Sequence, residues 1–431
     1  MSGLTISGGR LLDPASDCDQ IADLHIADGR IAAIGAPPAG FVADEQIAAD
    51  GLWLTPGLVD LWARLGEPGH EQRGTIASES RAAALGGITT LACAPDTDPV
   101  IDETATVELI RHRAAQAGYA RVHPIGALTR GLEGRQLAEM ATLREAGCVA
   151  VSNADVPIGD TRVMRRAMEY AASFAIPLLV HPQDAFLAEG GCAHEGPVST
   201  RLGLPGVPVA AEAVAMAQRL ELVAQSGARV HFSRLSSARA VDLLRQAQRD
   251  GLPVSGDVAI HNLHFTEADL AGYDAMCHVL PPLRSAADRD ALREAVADGV
   301  LLAICSNHAP LESDAKLAPF AQTEPGISAF DTMLPLLLQL GEEMGWSPLQ
   351  TLRPATCAPA RLLGLDAGTL AVGGAADLLL IEPDVEWHFY RAAMHSDGRN
   401  SPCEGRRFGA RLRDTLIAGR RPGGESAARL R

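Results

Sequence analysis

From Gly57 onward the chain repeats one pattern eight times: a short apolar run, then a longer stretch with helical periodicity. Runs that are apolar on both faces read as buried parallel strands, and the stretches between them as crossover helices. The runs are Leu58 to Arg64, Ile88 to Cys93, Val122 to Leu128, Cys148 to Asn153, Pro177 to His181, Arg229 to Leu235, Val254 to Ile260 and Leu301 to Ser306. Eight β/α units of this kind predict a closed barrel, its interior filled by side chains.

The flanks read differently. Leu4 to Ile6, Leu24 to Ile26 and Ile31 to Ile34 alternate as strands do, and Asp28-Gly29 marks a hairpin turn. After a helix over Phe330 to Glu343, β texture returns at Ala376 to Ile381 and Asp414 to Ala418, with Gly373 and Gly374 as punctuation. The expected class is therefore α/β: a (β/α)8 TIM-type barrel across 56–364, and a small β-sandwich-like domain built from 1–55 and 365–431. The Arg-rich stretch from Arg406 to Arg431 is expected to be a solvated tail, with an arm for an anionic partner as the alternative.

Charge and residue usage exclude several kinds of chemistry. With 37 Lys plus Arg against 53 Asp plus Glu, the formal charge is -16, which opposes binding to nucleic acid or an anionic membrane. Lys316 is the only lysine, and its Ser-Asp-Ala-Lys-Leu setting is not a phosphate loop, so that motif and Schiff-base catalysis both fall away. The eight cysteines, at 18, 93, 148, 192, 277, 305, 357 and 403, form no CxxC pair or dense framework, as expected of reduced thiols. The start MSGLTISGGRLLDPAS lacks a basic-then-apolar leader and no apolar run approaches a membrane span, so the expected location is cytoplasmic.

Several ordered segments are distinctive: PGLVDL at Pro56, Glu67-Pro68-Gly69, RAAALGGITTLACAPDTDPVID, HPQDAFLAEGGCAHEG, RLGLPGVPVAAEA, PPLRS at Pro281 to Ser285, NHAP at Asn307 to Pro310, and CAPARLLGL with GGAADLLLIEP near the C-terminus. Together they resemble the dihydroorotases of the amidohydrolase superfamily over nearly the whole chain. The resemblance implies a barrel whose metal site lies at the C-terminal strand ends, with a β domain from both termini. In active members that site is a binuclear zinc centre: a His-x-His pair on strand one, a bridging carboxylate or carboxylated lysine on strand four, one His each on strands five and six, and an Asp on strand eight.

At the matching positions this chain departs from the pattern. The His-x-His pair is Trp62 and Arg64, neither of which offers a metal a lone pair at neutral pH. The bridge position is Asn153; the strand-five His survives as His181; the strand-six position is Arg234, with His231 three residues earlier and so expected on the opposite strand face. The catalytic Asp is Asn307, which cannot act as a base. Positions that grip substrate in the family are Gly66, Asp96, Leu280 and Leu311 here. The resemblance thus implies that the zinc site is lost, leaving no metal, no catalytic residue and no cofactor.

Several of these positions admit other chemistry. Arg64 and Arg234 should face the old metal cavity, either binding an anion or, as favoured, filling it and pairing with Asp96 or Asp155. Trp62 should fill volume vacated by metal. His261-x-x-His264 with His278, or His231, could form a relocated metal site, and Cys305 with His308 a nucleophile pair, though core packing is the simpler expectation for each. A fold kept while its catalytic positions change suggests an interaction role. The resemblance narrows to the noncatalytic dihydroorotases, which assemble with aspartate carbamoyltransferase in pyrimidine biosynthesis. That implies a scaffold subunit whose partners are aspartate carbamoyltransferase catalytic chains and further copies of itself, with the LGLPGVPVAAEA loop, including Pro205 and Val207, as an expected intersubunit surface. The alternative is a cyclic-amide hydrolase with a degenerate or relocated site.

Overall fold

A computed structural model describes residues 3–422. Strands β1 (Gly3–Asp13), β2 (Cys18–Ala27), β3 (Arg30–Ile34), β4 (Glu45–Ala48) and β5 (Trp53–Pro56) open the chain. Asp28 and Gly29, both at positive φ (51° and 76°), make the tight turn between β2 and β3. The barrel follows as β6 (Leu58–Ala63), α1 (Ile76–Leu85), β7 (Ile88–Cys93), α2 (Thr104–Ala117), β8 (Arg121–Ala127), α3 (Met140–Ala146), β9 (Ala150–Ser152), α4 (Thr161–Ser173) and β10 (Leu178–Val180). An excursion of α5 (Ala185–Ala188), β11 (Ala193–His194), α6 (Pro197–Leu202) and β12 (Gly206–Val207) precedes α7 (Val209–Ser226). Then come β13 (Val230–Phe232), α8 (Ala238–Arg249), β14 (Val254–Ala259), α9 (Ala286–Ala297), β15 (Ala303–Cys305), α10 (Phe330–Met344), α11 (Pro348–Leu352) and α12 (Cys357–Leu363). The chain finishes with β16 (Leu378–Glu382), β17 (Trp387–His388), β18 (Arg407–Phe408) and β19 (Arg411–Leu416).

Eight parallel strands, β6 to β10 and β13 to β15, run side by side in chain order. The barrel closes where Ala63 bridges His308 and the Arg64 N–H donates to the His308 carbonyl at 2.9 Å. Alternation divides its residues as a buried parallel sheet requires. Trp62, Ala92, Ile125, Leu179 and Ala259 meet inside, while Leu91, Val151, Val180, Phe232 and Val258 pack outward against the helices. The smaller sheet runs β19-β16-β5-β1-β2-β3, with β4 beside β1, so both termini build it. Its core is a separate cluster around Ile6, Leu11, Leu54 and Leu380, whereas Trp387, Phe389 and Phe408 join the barrel cluster.

The Arg-rich stretch is corrected by the fold. Up to 422 it is structured, because its guanidinium groups find carboxylates on the sheet: Arg411 bonds Glu382, and Arg421 bonds both Glu45 and Asp414. The remainder, 423–431, lies outside the described residues. Among the described residues, no helix is long and apolar enough to cross a membrane.

Two buried acids fasten the barrel. Glu79 on α1 accepts from His308 Nε2 (3.0 Å), Ser396 Oγ (2.6 Å) and the Asp397 N–H (3.0 Å), tying the segment before β18 to the end of β15. Asp60 on β6 accepts from the Ser306 N–H at 2.8 Å and from its hydroxyl, stapling the first strand to the last across the closure. Burial pushes the Asp60 carboxyl up from 3.8 to about 7, although the Ser306 hydrogen bonds oppose the rise. The folded protein therefore holds the proton more tightly than the unfolded chain, so this group's contribution is full below pH 3.8 and is lost as pH rises towards 7. We expect Asp60→Asn, compared with the parent protein in thermal unfolding at a series of pH values, to remove a loss of stability that the parent shows between those limits. Parallel curves for the two proteins would contradict the assignment.

Candidate functional site

The site lies where the barrel strands end at the C-terminal face, the position at which such folds place chemistry. Trp62, in β6, is fully buried inside the barrel. Arg64, one residue past that strand, lies over the mouth. Arg234 follows β13 by two residues and adopts a positive φ of 57°, a rare conformation for a non-glycine residue. That turn directs its side chain inward, where it has no exposed surface. Its guanidinium carbon sits 4.2 Å from the Trp62 ring centre, a cation–π stack.

Each guanidinium is matched by carboxylates. Arg64 donates from Nε to Asp96 at 2.8 Å and from Nη2 to Asp155 at 2.5 Å. Asp155 also takes Arg234 Nη1 at 2.7 Å, so two cations share two anions. The two arginines hold Asp155 well below the usual carboxylate range against the effect of its burial. Further out, Arg73 pairs with Glu312 at 3.1 Å and Glu324 at 2.7 Å.

The remaining positions are engaged locally. Asn153 accepts from the Thr129 hydroxyl at 2.6 Å and donates to the carbonyls of Leu132 and Val156, which occupies both of its amide N–H groups. Asn307 donates to the Leu280 carbonyl at 3.1 Å and receives Arg234 Nη1 at 3.4 Å. His181 Nδ1 donates to the Ser233 carbonyl and Nε2 sits 3.2 Å from the Gln183 amide; burial first, then Arg234, pushes the ring below its usual pKa.

Gly66, Asp96, Leu280 and Leu311 do come together. They line a cavity of about 280 Å³ over the mouth, with Arg64, Asp155 and Asn307. Gly66 has φ of 79°, and a Cβ there would meet the Gly74 carbonyl oxygen at 2.2 Å. An Arg at that position would therefore need the loop rebuilt.

The other histidines and the cysteine stand apart. His231 corrects the strand-parity expectation: because β13 ends at Phe232 and Arg234 turns through positive φ, both side chains face inward. His231 lies a layer deeper, with Nδ1 2.8 Å from the Ser255 hydroxyl and Nε2 3.1 Å from Asp257. No motif marks that relay, and sequence reasoning missed it. His261 is buried beside Arg234 and pushed down to about 3, chiefly by burial. His264 bonds the Leu336 carbonyl and Arg406, and His278 bonds Thr323. Cys305 is buried and its thiol is pushed well up, while the two ring nitrogens of His308 are taken by Glu79 and the Ala329 N–H, so they form no nucleophile pair. Val207 is also corrected as a surface residue: it is buried, and its carbonyl accepts from Arg284 at 2.6 Å, while Pro205 is exposed.

A binuclear zinc centre does not fit these residues. The guanidinium of Arg234 and the indole of Trp62 fill the space between strands one and six, and a fixed cation there repels a divalent one. Among the described residues, no three His, Cys, Asp or Glu side chains converge to hold a metal.

The family description that matches residues 51–240 is "Dihydro-orotase-like". A "Dihydroorotase-like protein" of Pseudomonas aeruginosa is 51% identical over 96% of this chain and 98% of its own. A "Dihydroorotase" of Anaeromyxobacter dehalogenans is 42% identical over 97% of each. Among solved structures, the L-hydantoinase of Arthrobacter aurescens superposes with a TM-score of 0.86 at 24% identity, covering 98% of this chain and 96% of that one, a likeness of fold.

The ion-pair set is testable as a unit. Removing one partner of a buried pair leaves an uncompensated charge, so Asp155→Ala should cost about 3 kcal/mol in chemical denaturation. Replacing both partners, Asp155→Leu with Arg234→Met, should recover most of it. Additive losses in the double variant would show that the pair is not the unit.

Proposed function

Because the chain belongs to the dihydroorotase-like family of the amidohydrolase superfamily, we propose that it is a noncatalytic member, a cytoplasmic scaffold subunit that assembles with aspartate carbamoyltransferase catalytic chains and with copies of itself. One observation carries the reading: Arg234, stacked on Trp62 and paired with Asp155, takes the place of metal ligands. Amide hydrolysis or ring closure in this family needs a metal-activated hydroxide and a Lewis acid, and both go with the ligands. The substrate layer changed in the same sense. A dianionic substrate would meet Asp96, Leu280 and Leu311 at the mouth, where Arg64 is already held by two carboxylates. The rest of the fold is kept, as a protein needs when its surface is its function.

The name dihydroorotase, carried by relatives 42% identical to this chain, favours a second reading: a cyclic-amide hydrolase with a degenerate or relocated site. One preparation separates the two. The tagged protein, purified from its own cells, is expected to bring down aspartate carbamoyltransferase, with zinc well below one per chain and no dihydroorotase turnover. A zinc-loaded, active protein eluting alone would overturn the proposal. Trp62→His with Arg64→His is expected to remain inactive, because Asn153, Arg234 and Asn307 still leave the centre incomplete. Turnover in that double variant would overturn it as well.

A further inference from the structure

At the base of the barrel, opposite the mouth, a second cavity of about 400 Å³ opens between the starts of β10, β13 and β14 and helix α12. Its walls are mostly apolar, from Leu252, Val254, Leu302, Ala358 and Leu362. Its polar groups are few. Arg229 and Arg361 line it, are exposed, and have no ion-pair partner among the described residues. Deeper in, Ser255 and His231 reach it from the barrel interior.

Behind these two residues, His231 Nε2 lies 3.1 Å from the Asp257 carboxylate and Nδ1 2.8 Å from the Ser255 hydroxyl, so the polar groups at the inner end are fixed by hydrogen bonds. Asp257 is held in place by the Arg234 N–H, which donates to its other oxygen. A largely apolar hollow of this size, with a few fixed polar groups, has the form of a small-molecule site.

We propose that this cavity binds a small amphipathic carboxylate: the apolar body lies against Leu252, Val254, Leu302 and Leu362, and the carboxylate faces Arg229 and Arg361. Local charge selects the ligand class, since two unpaired guanidinium groups lining the cavity attract an anion and repel a cation. Arg presents a planar fork of donors suited to a carboxylate. The proposal does not depend on the scaffold role, and co-elution of a partner leaves it untouched either way.

The test uses the full-length protein with phenylbutyrate, phenylbutanol and phenylbutylamine as probes, followed by ligand-observed NMR and calorimetry. Saturable binding of the carboxylate is expected, at least about tenfold tighter than the alcohol, with no binding of the amine. Arg229→Glu and Arg361→Glu, both surface substitutions that should leave the melting temperature unchanged, are each expected to weaken it by about tenfold. Ala358→Trp should abolish it by filling the hollow. Equal affinity for carboxylate and alcohol, indifference to both arginine substitutions, or no saturable binding overturns the proposal. So does stronger binding of a peptide with a free C-terminal leucine, which would make the cavity a docking point for another chain. Should Ala358→Trp fail to fold, the arginine variants decide.

Discussion

A guanidinium without exposed surface governs the barrel mouth. Stripping an arginine of water is unfavourable by several kcal/mol unless a counter-charge and hydrogen bonds replace the lost solvation. Arg234 therefore requires Asp155, and Asp155, shared with Arg64, leaves the second arginine in need of Asp96. The face of Trp62 supplies the remaining cover. The side chains from the ends of strands one, two, four and six thus form one interlocked set. Two cations and two anions together fill the mouth of the barrel as a neutral group.

Much of this was legible in the residues. Eight apolar runs became eight barrel strands, because strands buried on both faces must be apolar throughout. Arg64, Arg234, Asp96 and Asp155 were expected to meet, and they do. The misreadings share a physical origin. Period-two alternation holds only while the strand stays extended, and Arg234 leaves it through a left-handed φ, so His231 faces inward against expectation. Arginines in sequence look like a solvated tail until the carboxylates of a distant strand are known, as with Arg411 and Glu382. The Ser255–His231–Asp257 relay joins residues from two adjacent strands in register, and pairings of that kind leave no local signature.

The barrel has two polar ends joined by a thin hydrogen-bonded column. Ser255, His231 and Asp257 stack upward from the base cavity, and Asp257 reaches the backbone of Arg234 at the mouth. Each member has partners, as buried polar groups require. A barrel interior that carries Asp60 and Asp257 must spend its hydrogen bonds inside, which is why Ser306 serves the closure instead of facing solvent.

The small sheet carries a consequence for how the chain is made. Strand β5 has β1 on one side and β16 on the other, and β16 begins at Leu378, more than three hundred residues after β5 ends at Pro56. At roughly 5–20 residues per second of synthesis, that edge waits on the order of half a minute for its partner. Glu79 waits similarly for Ser396. During that interval the nascent N-terminal strands present an unsatisfied edge of the kind that recruits other chains. Native pairing of the small sheet is therefore completed only by the last strands to emerge.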